Sequence, residues 1–248
     1  MLLDLSPLKA SRDYRLLFTG QLVSFFGSMM TFIVVPWQMY QLTGSSAMVG
    51  YIYLAEFVPM VVLAFVGGAM ADFLDKRKML RLTEIGQTVV TAILLANSPL
   101  PRPQIWVLFV AVALHAGFAA IQRPAFESFI QKVIPVEMMS AVMALNSIRY
   151  SVGAIVSPAV AGIIATQFSA SIAYTIDLFT FVASLCAVFL IRSVPPPANA
   201  ERPSFQSIKR AWKYAFSRQE LVGTYFIDIA AMFFAMPQAL YPALAVIY

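Results

Sequence analysis

The chain has 248 residues, of which 60% are hydrophobic and 12% charged, and its mean hydropathy is +0.78. A soluble domain of this length is usually about half apolar and about a quarter charged, so this composition excludes an ordinary soluble protein and indicates an integral membrane protein. The formal net charge of +5 comes from residues between the apolar runs, and we expect no nucleic-acid partner.

Seven apolar stretches come close to the length of ~20 residues that crosses the hydrocarbon core of a bilayer. Lys9, Arg12 and Arg15 precede the first stretch, but no small-residue cleavage site follows them, so this segment does not have the pattern of a removable signal. The sequence therefore predicts an all-α membrane protein. The predicted spans are 16–40, 47–71, 79–98, 105–131, 138–166, 171–192 and 221–248.

Basic residues are distributed unequally between the connectors of these spans. All of the 17 lysines and arginines except Arg102 and Arg149 lie before the first span or at the even-numbered connectors and the adjoining span ends. Cytoplasmic connectors carry an excess of lysine and arginine. We therefore expect a multi-pass protein of the bacterial cytoplasmic membrane with its N-terminus in the cytoplasm.

The connector 193–220 divides the chain into three predicted parts. Residues 1–192 form a six-span bundle, 193–220 a cytoplasmic linker, and 221–248 the first span of an incomplete C-terminal bundle. Within the linker, Phe205, Ile208, Trp212 and Phe216 recur at helical spacing, which favours an amphipathic helix on the membrane surface over a solvated segment. Six spans before a long connector predict one completed half of a larger molecule, whose C-terminal half is an expected partner.

The connector after the second span follows a glycine pair, in the sequence GGAMADFLDKRK at 67–78. Gly67 and Gly68 are expected to allow another helix to approach closely, and the basic residues orient the connector towards the cytoplasm. The stretch resembles the loop motif of the major facilitator superfamily, which lies between the same two spans. Gly68, Asp72, Arg77 and Lys78 fit the motif.

Two positions of this motif differ from the usual superfamily pattern. Phe73 replaces a basic residue, and Asp75 stands where glycine is usual. An acidic residue in the place of this glycine, as at Asp75, resembles the pattern of the drug and siderophore exporter branch. The resemblance implies a major facilitator fold, with this chain as its N-terminal six-helix half plus the start of the second half, and it implies that the motif is a cytoplasmic gate.

A stripe of small residues lies along one face of the fifth predicted span. Gly153, Ser157, Ala161 and Ala165 recur every four residues, a pattern typical of close helix packing. Together with Pro158 and Gly162, the stripe resembles the antiporter motif of the superfamily, although Ser157 and Ala161 replace glycines. At this place in the chain, the resemblance favours export over import.

Ionisable residues inside membrane spans are costly, so each is a functional candidate. Glu56 and Arg149 lie roughly 14 to 16 Å into their spans at 1.5 Å per residue, and both are predicted near the midplane. Asp177 and Asp228 lie about a third of the way into theirs, by the same rise. Two interpretations stay open for these four residues. The first is a role in transport, as proton-coupling or substrate-binding groups, and the second is structural pairing that fixes the rotation of the helices.

Three other ionisable residues have weaker signals. Glu84 and Glu127 are predicted near the cytoplasmic interface, with no special role. For His115, a hydrogen-bonded packing position is favoured over a proton relay. The arginine motif usual in the fourth span of the superfamily is missing, because the sequence there reads VALHAGFAA.

The sequence predicts a secondary active transporter rather than an enzyme. The favoured function is proton-coupled export of a hydrophobic or amphipathic small molecule, such as a drug or siderophore, by alternating access. Its expected partners are that substrate, protons and the lipid bilayer. Uptake by the same superfamily is the alternative, and a seven-span receptor is a remote one. Because the chain has one cysteine and one histidine, we expect no metal site built on them and no cofactor.

Overall fold

A computed structural model describes residues 4–195, 216–235 and 240–247. Six of the described helices are long and apolar enough to cross a membrane, which confirms the first six predicted spans. The helices are α1 (Ser6–Ala10), α2 (Arg12–Thr43), α3 (Ser46–Phe73), α4 (Lys76–Asn97), α5 (Ile105–Val133), α6 (Met139–Gln167), α7 (Ala170–Leu190), α8 (Gln219–Ala235) and α9 (Tyr241–Ile247).

Two predicted features fall wholly or partly outside the described residues. The amphipathic helix proposed over Phe205 to Phe216 lies in the undescribed part of the linker, apart from its last residue. The seventh predicted span corresponds to α8 and α9, and residues 236–239 between them are not described.

Local sequence explains where the spanning helices begin. The side chains of Ser11, Ser45 and Asp75 each accept a hydrogen bond from the backbone N–H three residues later, at the starts of α2, α3 and α4. Such caps satisfy N–H groups that have no partner within the helix. Gly44 ends α2 with a φ of 62°, a left-handed conformation that glycine adopts without steric cost.

Close contacts between helices depend on glycines at particular positions. A Cβ atom on Gly67 would lie 2.7 Å from the Cα of Ile121 in α5, so α3 and α5 touch at the backbone here. Gly68 has no atom within 4 Å of such a Cβ. The close approach expected at the glycine pair is therefore seen at Gly67, and at Gly68 it stays a prediction.

The interior consists of two apolar clusters at opposite ends of the bundle, with a polar layer between them. The cluster at the end where α2 begins includes Tyr14, Leu80 and Phe129. The other includes Val35 and Leu108. Polar side chains buried between them are Ser24, Thr83, Glu84, Gln87, Gln122 and Ser184. The outer surface carries large hydrophobic side chains, as expected for helices surrounded by hydrocarbon.

Candidate functional site

A cavity of about 570 Å³ lies in the polar layer. Residues of all six spanning helices line it, and its volume is in the range typical of sites for small molecules. Its wall is mainly apolar, with a few polar and charged side chains among aromatic and aliphatic ones. The aromatic and methionine residues of the wall are Phe25, Met29, Phe32, Met60, Phe126, Tyr150 and Phe181.

Glu56 and Arg149, predicted at the midplane, both line this cavity. They do not form an ion pair, since the ion pairs among residues 4–195, 216–235 and 240–247 are Arg123–Glu127 and Arg192–Asp13. Glu56 is partly exposed to the cavity, whereas Arg149 has 7% of its surface exposed. Glu56 and Arg149 thus share one cavity wall without pairing with each other.

The guanidinium of Arg149 lies among three aromatic rings from three helices. Its Cζ atom is 5.5 Å from the ring centre of Phe25 in α2, 5.4 Å from Phe126 in α5 and 5.1 Å from Tyr150 in α6. Phe25 and Tyr150 also contact each other edge to face, with ring centres 4.9 Å apart. Cation–π contacts of this kind stabilise a desolvated arginine.

The small-residue stripe of α6 makes room for this aromatic cluster. Gly153, Ser157 and Ala161 are buried, and a Cβ atom on Gly153 would overlap the ring of Phe25. Pro158 is exposed and lies within a continuous helix. A Cβ atom on Gly162 would meet no side chain or neighbouring helix of the described structure within 4 Å. The stripe therefore packs against α2, and its glycine positions Phe25 beside Arg149.

Glu84 is the main residue that sequence reasoning missed. It is fully buried, and its Oε1 atom accepts hydrogen bonds from Gln21, from Gln122 at 2.9 Å and from Ser184 at 2.9 Å. No special role was expected for Glu84, yet it lies in the packed interior of the bundle, about 12 Å from the start of α4 at Lys76 at 1.5 Å per residue. The sequence carried a signal, since Leu80, Glu84 and Gln87 share one helix face.

Asp177, in α7, is fully buried and lies behind the cavity wall rather than in it. Its Oδ2 atom accepts hydrogen bonds from Thr31 at 2.6 Å and Thr91 at 3.4 Å. Its Oδ1 atom is buried without a hydrogen-bond partner in the part of the chain described. Asp177 therefore connects α2, α4 and α7 at one point.

The remaining candidates in the spans lie in different surroundings. His115 lines the cavity, with its Nε2 atom 3.0 Å from the hydroxyl of Thr91 and its ring 5.5 Å from that of Phe181. Asp228 lies in α8, and its side chain is outside what the structure describes. Glu127 pairs with Arg123 at 3.3 Å, and both side chains are largely exposed.

The loop motif between α3 and α4 has an exposed part and a part that binds the end of α7. Asp72 is exposed and makes no hydrogen bond or ion pair to any described residue. Arg77 donates a hydrogen bond to the backbone carbonyl of Phe189, and Arg81 donates to the same oxygen at 3.2 Å. Lys78 is exposed. Arg77 of the motif, together with Arg81 beyond it, therefore binds the last turn of α7.

Asp75 has a structural role that its unusual position in the motif did not reveal. One of its oxygens accepts the backbone N–H of Lys78 at 3.0 Å, and the other accepts the hydroxyl of Ser193 just beyond α7. Partial burial disfavours its ionised form, but these hydrogen bonds hold the pKa of Asp75 below its usual value. The carboxylate therefore joins the start of α4 to the segment that follows α7.

Comparisons with known proteins show which proteins this chain is similar to. The family model described as "Transmembrane secretion effector" matches residues 3–247. The chain is similar to the enterobactin exporter of Citrobacter koseri (22% identical over 245 residues), covering 99% of this chain and 59% of that protein. It is also similar to the enterobactin exporters of Salmonella choleraesuis (25% identical over 247 residues) and Escherichia coli (21% identical over 244 residues). Both comparisons cover 98% of this chain and 59% of the relative. The chain thus spans about three fifths of the length of these relatives.

Proposed function

Because the chain belongs to the transmembrane secretion effector family of the major facilitator superfamily, we propose that it supplies the first six-helix half of a proton-coupled exporter of small molecules. The observation that carries the proposal is the cavity between the two apolar clusters, with Glu56 and Arg149 in its wall. Its mainly apolar lining suits a hydrophobic or amphipathic substrate. The named activity of the curated relatives, enterobactin export, supports this direction of transport.

The proposed mechanism is alternating access around the cavity. Transporters of this kind move one half of the molecule against the other, so that a site near the midplane opens to each side in turn. The two apolar clusters close the ends of this half, and the polar layer between them contains the groups that bind substrate and protons. We place the chain in the bacterial cytoplasmic membrane.

Transport into everted membrane vesicles tests this function. The vesicles carry the product of the complete coding sequence, and enterobactin is the first probe, chosen from the relatives' activity. The interior of an everted vesicle corresponds to the outside of the cell. We therefore expect an acid interior to drive accumulation of the probe, because an exporter that exchanges protons for substrate lets protons out of the vesicle as the probe enters. A protonophore should abolish this accumulation. Loss of preloaded probe from the vesicles under the same gradient would instead identify an uptake carrier, and transport unaffected by the protonophore would exclude proton coupling.

The proposed orientation places the start of α2 and the connector between α3 and α4 in the cytoplasm, because almost all basic residues lie at that end. Reporter fusions near Ser45, Arg102 and Ser169 are expected to give a periplasmic signal, and those near Lys76 and Lys132 a cytoplasmic one. A cytoplasmic signal at Arg102 together with a periplasmic signal at Lys76 would reverse the orientation.

We propose that Asp72, together with Gly68, Arg77 and Lys78, belongs to a cytoplasmic gate. Asp72 is exposed at the end of α3, where its carboxylate is available to a helix N-terminus or an arginine of the second half. Asp72→Asn should weaken cytoplasmic closure, raise thiol labelling on that side of the cavity and impair transport, while membrane insertion is retained. Asp72→Glu is the charge-matched control. Parental labelling and transport in Asp72→Asn would show that the motif only orients the loop.

A further inference from the structure

Arg149 is a buried cation with no acidic partner among the described residues. It is 7% exposed and lines the cavity. Its Nε atom has no hydrogen-bond partner among the described residues, and the side chain that hydrogen-bonds to its guanidinium is the neutral Tyr150. A guanidinium stays protonated in proteins, and an uncompensated charge away from water costs several kcal/mol. The site therefore carries a positive charge that the described part of the protein does not neutralise.

The other charged groups of the cavity wall leave this cation available to a ligand. Arg123 is already paired with Glu127 at 3.3 Å, and both are largely exposed. Glu56 also lines the cavity, but it forms no ion pair with Arg149, so its carboxylate lies farther than 4 Å from the guanidinium nitrogens. Arg149 is thus the one arginine of the described cavity wall without a carboxylate partner.

The surroundings of Arg149 hold it in place rather than leaving it to move. Three rings from α2, α5 and α6 lie within 5.5 Å of its Cζ atom, and Gly153 gives Phe25 the space to be one of them. A cation positioned before binding loses little conformational entropy when a ligand arrives. The same rings offer apolar and aromatic surface to the rest of that ligand.

We propose that Arg149 recognises an acidic group of the substrate, and that the cavity takes amphipathic anions in which a carboxylate, sulfonate or acidic phenol is joined to an aromatic or apolar body. The acidic group binds the guanidinium through charge-assisted hydrogen bonds. The body lies against Phe25, Phe126 and Tyr150. This inference deepens the proposed function by giving the class of substrate, and it rests on the cavity being the substrate site.

Three probes with one aromatic body and different charge test the proposal. Pyrenebutyrate is an anion, pyrenebutanamide is neutral, and pyrenebutylamine is a cation at neutral pH. Binding to the purified product of the complete coding sequence is measured in detergent by fluorescence anisotropy. We expect pyrenebutyrate to bind about tenfold more tightly than the amide, a difference of about 1.4 kcal/mol, and the cation to bind most weakly.

Substitutions at Arg149 separate recognition of charge from loss of fold. Arg149→Gln should erase the preference for the anion while leaving the affinity for pyrenebutanamide unchanged, and retained amide binding shows that the cavity is still formed. Arg149→Lys should keep part of the preference, because a lysine retains the charge but not the planar guanidinium. Arg102→Gln, in the loop before α5, is the control that removes an arginine outside the cavity.

Two outcomes would overturn the proposal. One is that the unsubstituted protein binds pyrenebutylamine or pyrenebutanamide more tightly than pyrenebutyrate. A preference for the cation would assign recognition to Glu56, and a preference for the amide would assign it to apolar contacts alone. The other is a preference for the anion that persists in Arg149→Gln. The binding measurement uses no gradient, so a charge preference that depends on Arg149 would stand even if the vesicle experiment failed to detect export.

Discussion

Gly27→Ala in α2 is expected to destabilise the bundle strongly. Gly27 is buried where α2 crosses α7. A Cβ atom there would lie 2.9 Å from the Cα of Asp177 and would also overlap the side chains of Asp177 and Thr180. Side chains can rotate away, but the backbone of α7 can only move back as a unit. Overpacking of this kind costs about 1–3 kcal/mol, and occasionally more.

The expected loss at Gly27 extends to the hydrogen bonds of Asp177. Separation of α2 from α7 lengthens the 2.6 Å bond that Thr31 in α2 donates to Asp177, and an interhelical hydrogen bond in a membrane contributes about 0.6 kcal/mol on average. The thermal midpoint of the purified protein in detergent should therefore fall, as followed by size-exclusion chromatography after heating.

Gly68→Ala is the matched control for this change. Gly68 also lies within a spanning helix, but a Cβ atom built on it would have no atom of another described segment within 4 Å. Alanine has a higher helix propensity than glycine by about 1 kcal/mol, so the midpoint of this variant should stay equal or rise. Equal losses in the two variants would show that α2 and α7 are not in backbone contact at Gly27.

The number and order of the spanning helices were predictable because they depend on properties that lie along the chain. Apolar length gives the six spans, and their ends follow from local residues such as Ser45 and Gly44, which act within one turn of the helix. A similar depth of Glu56 and Arg149 along their helices was expected for the same reason, since depth is a count of residues multiplied by a constant rise. Both line the cavity.

Rotation of a helix about its axis and the identity of its neighbours were not predictable in the same way. Glu84 accepts hydrogen bonds from α2, α5 and α7, and these partners are separated from it by 63, 38 and 100 positions in the chain. Similarly, a Cβ atom on Gly67 would overlap the backbone of α5, whereas one on its neighbour Gly68 would meet no other part of the described structure within 4 Å. Two adjacent residues lie on different faces of a helix, and the packing of the helices decides which of the two faces another helix.

Glu56→Gln is expected to abolish proton-driven transport while substrate binding is retained. Glu56 lies within α3 and is partly exposed to the cavity. A charged carboxylate at this depth is costly, whereas its protonated form is not, so the group is suited to bind a proton in one state and release it in another. Glutamine has the shape of the protonated acid but cannot release a proton. Accumulation of enterobactin in everted vesicles with an acid interior should fall to the level seen with a protonophore.

Substrate exchange without a gradient separates loss of coupling from loss of the site. Vesicles containing Glu56→Gln should still exchange labelled for unlabelled enterobactin, because exchange requires binding and alternating access but no net proton movement. Glu137→Gln removes an exposed carboxylate in the short turn just before α6, away from the cavity wall, and should transport at the parental rate. If Glu56→Gln also shows gradient-driven accumulation at that rate, Glu56 is not the coupling residue. Asp177, fully buried beside the cavity and with one oxygen unpaired in the described structure, then becomes the carboxylate to replace.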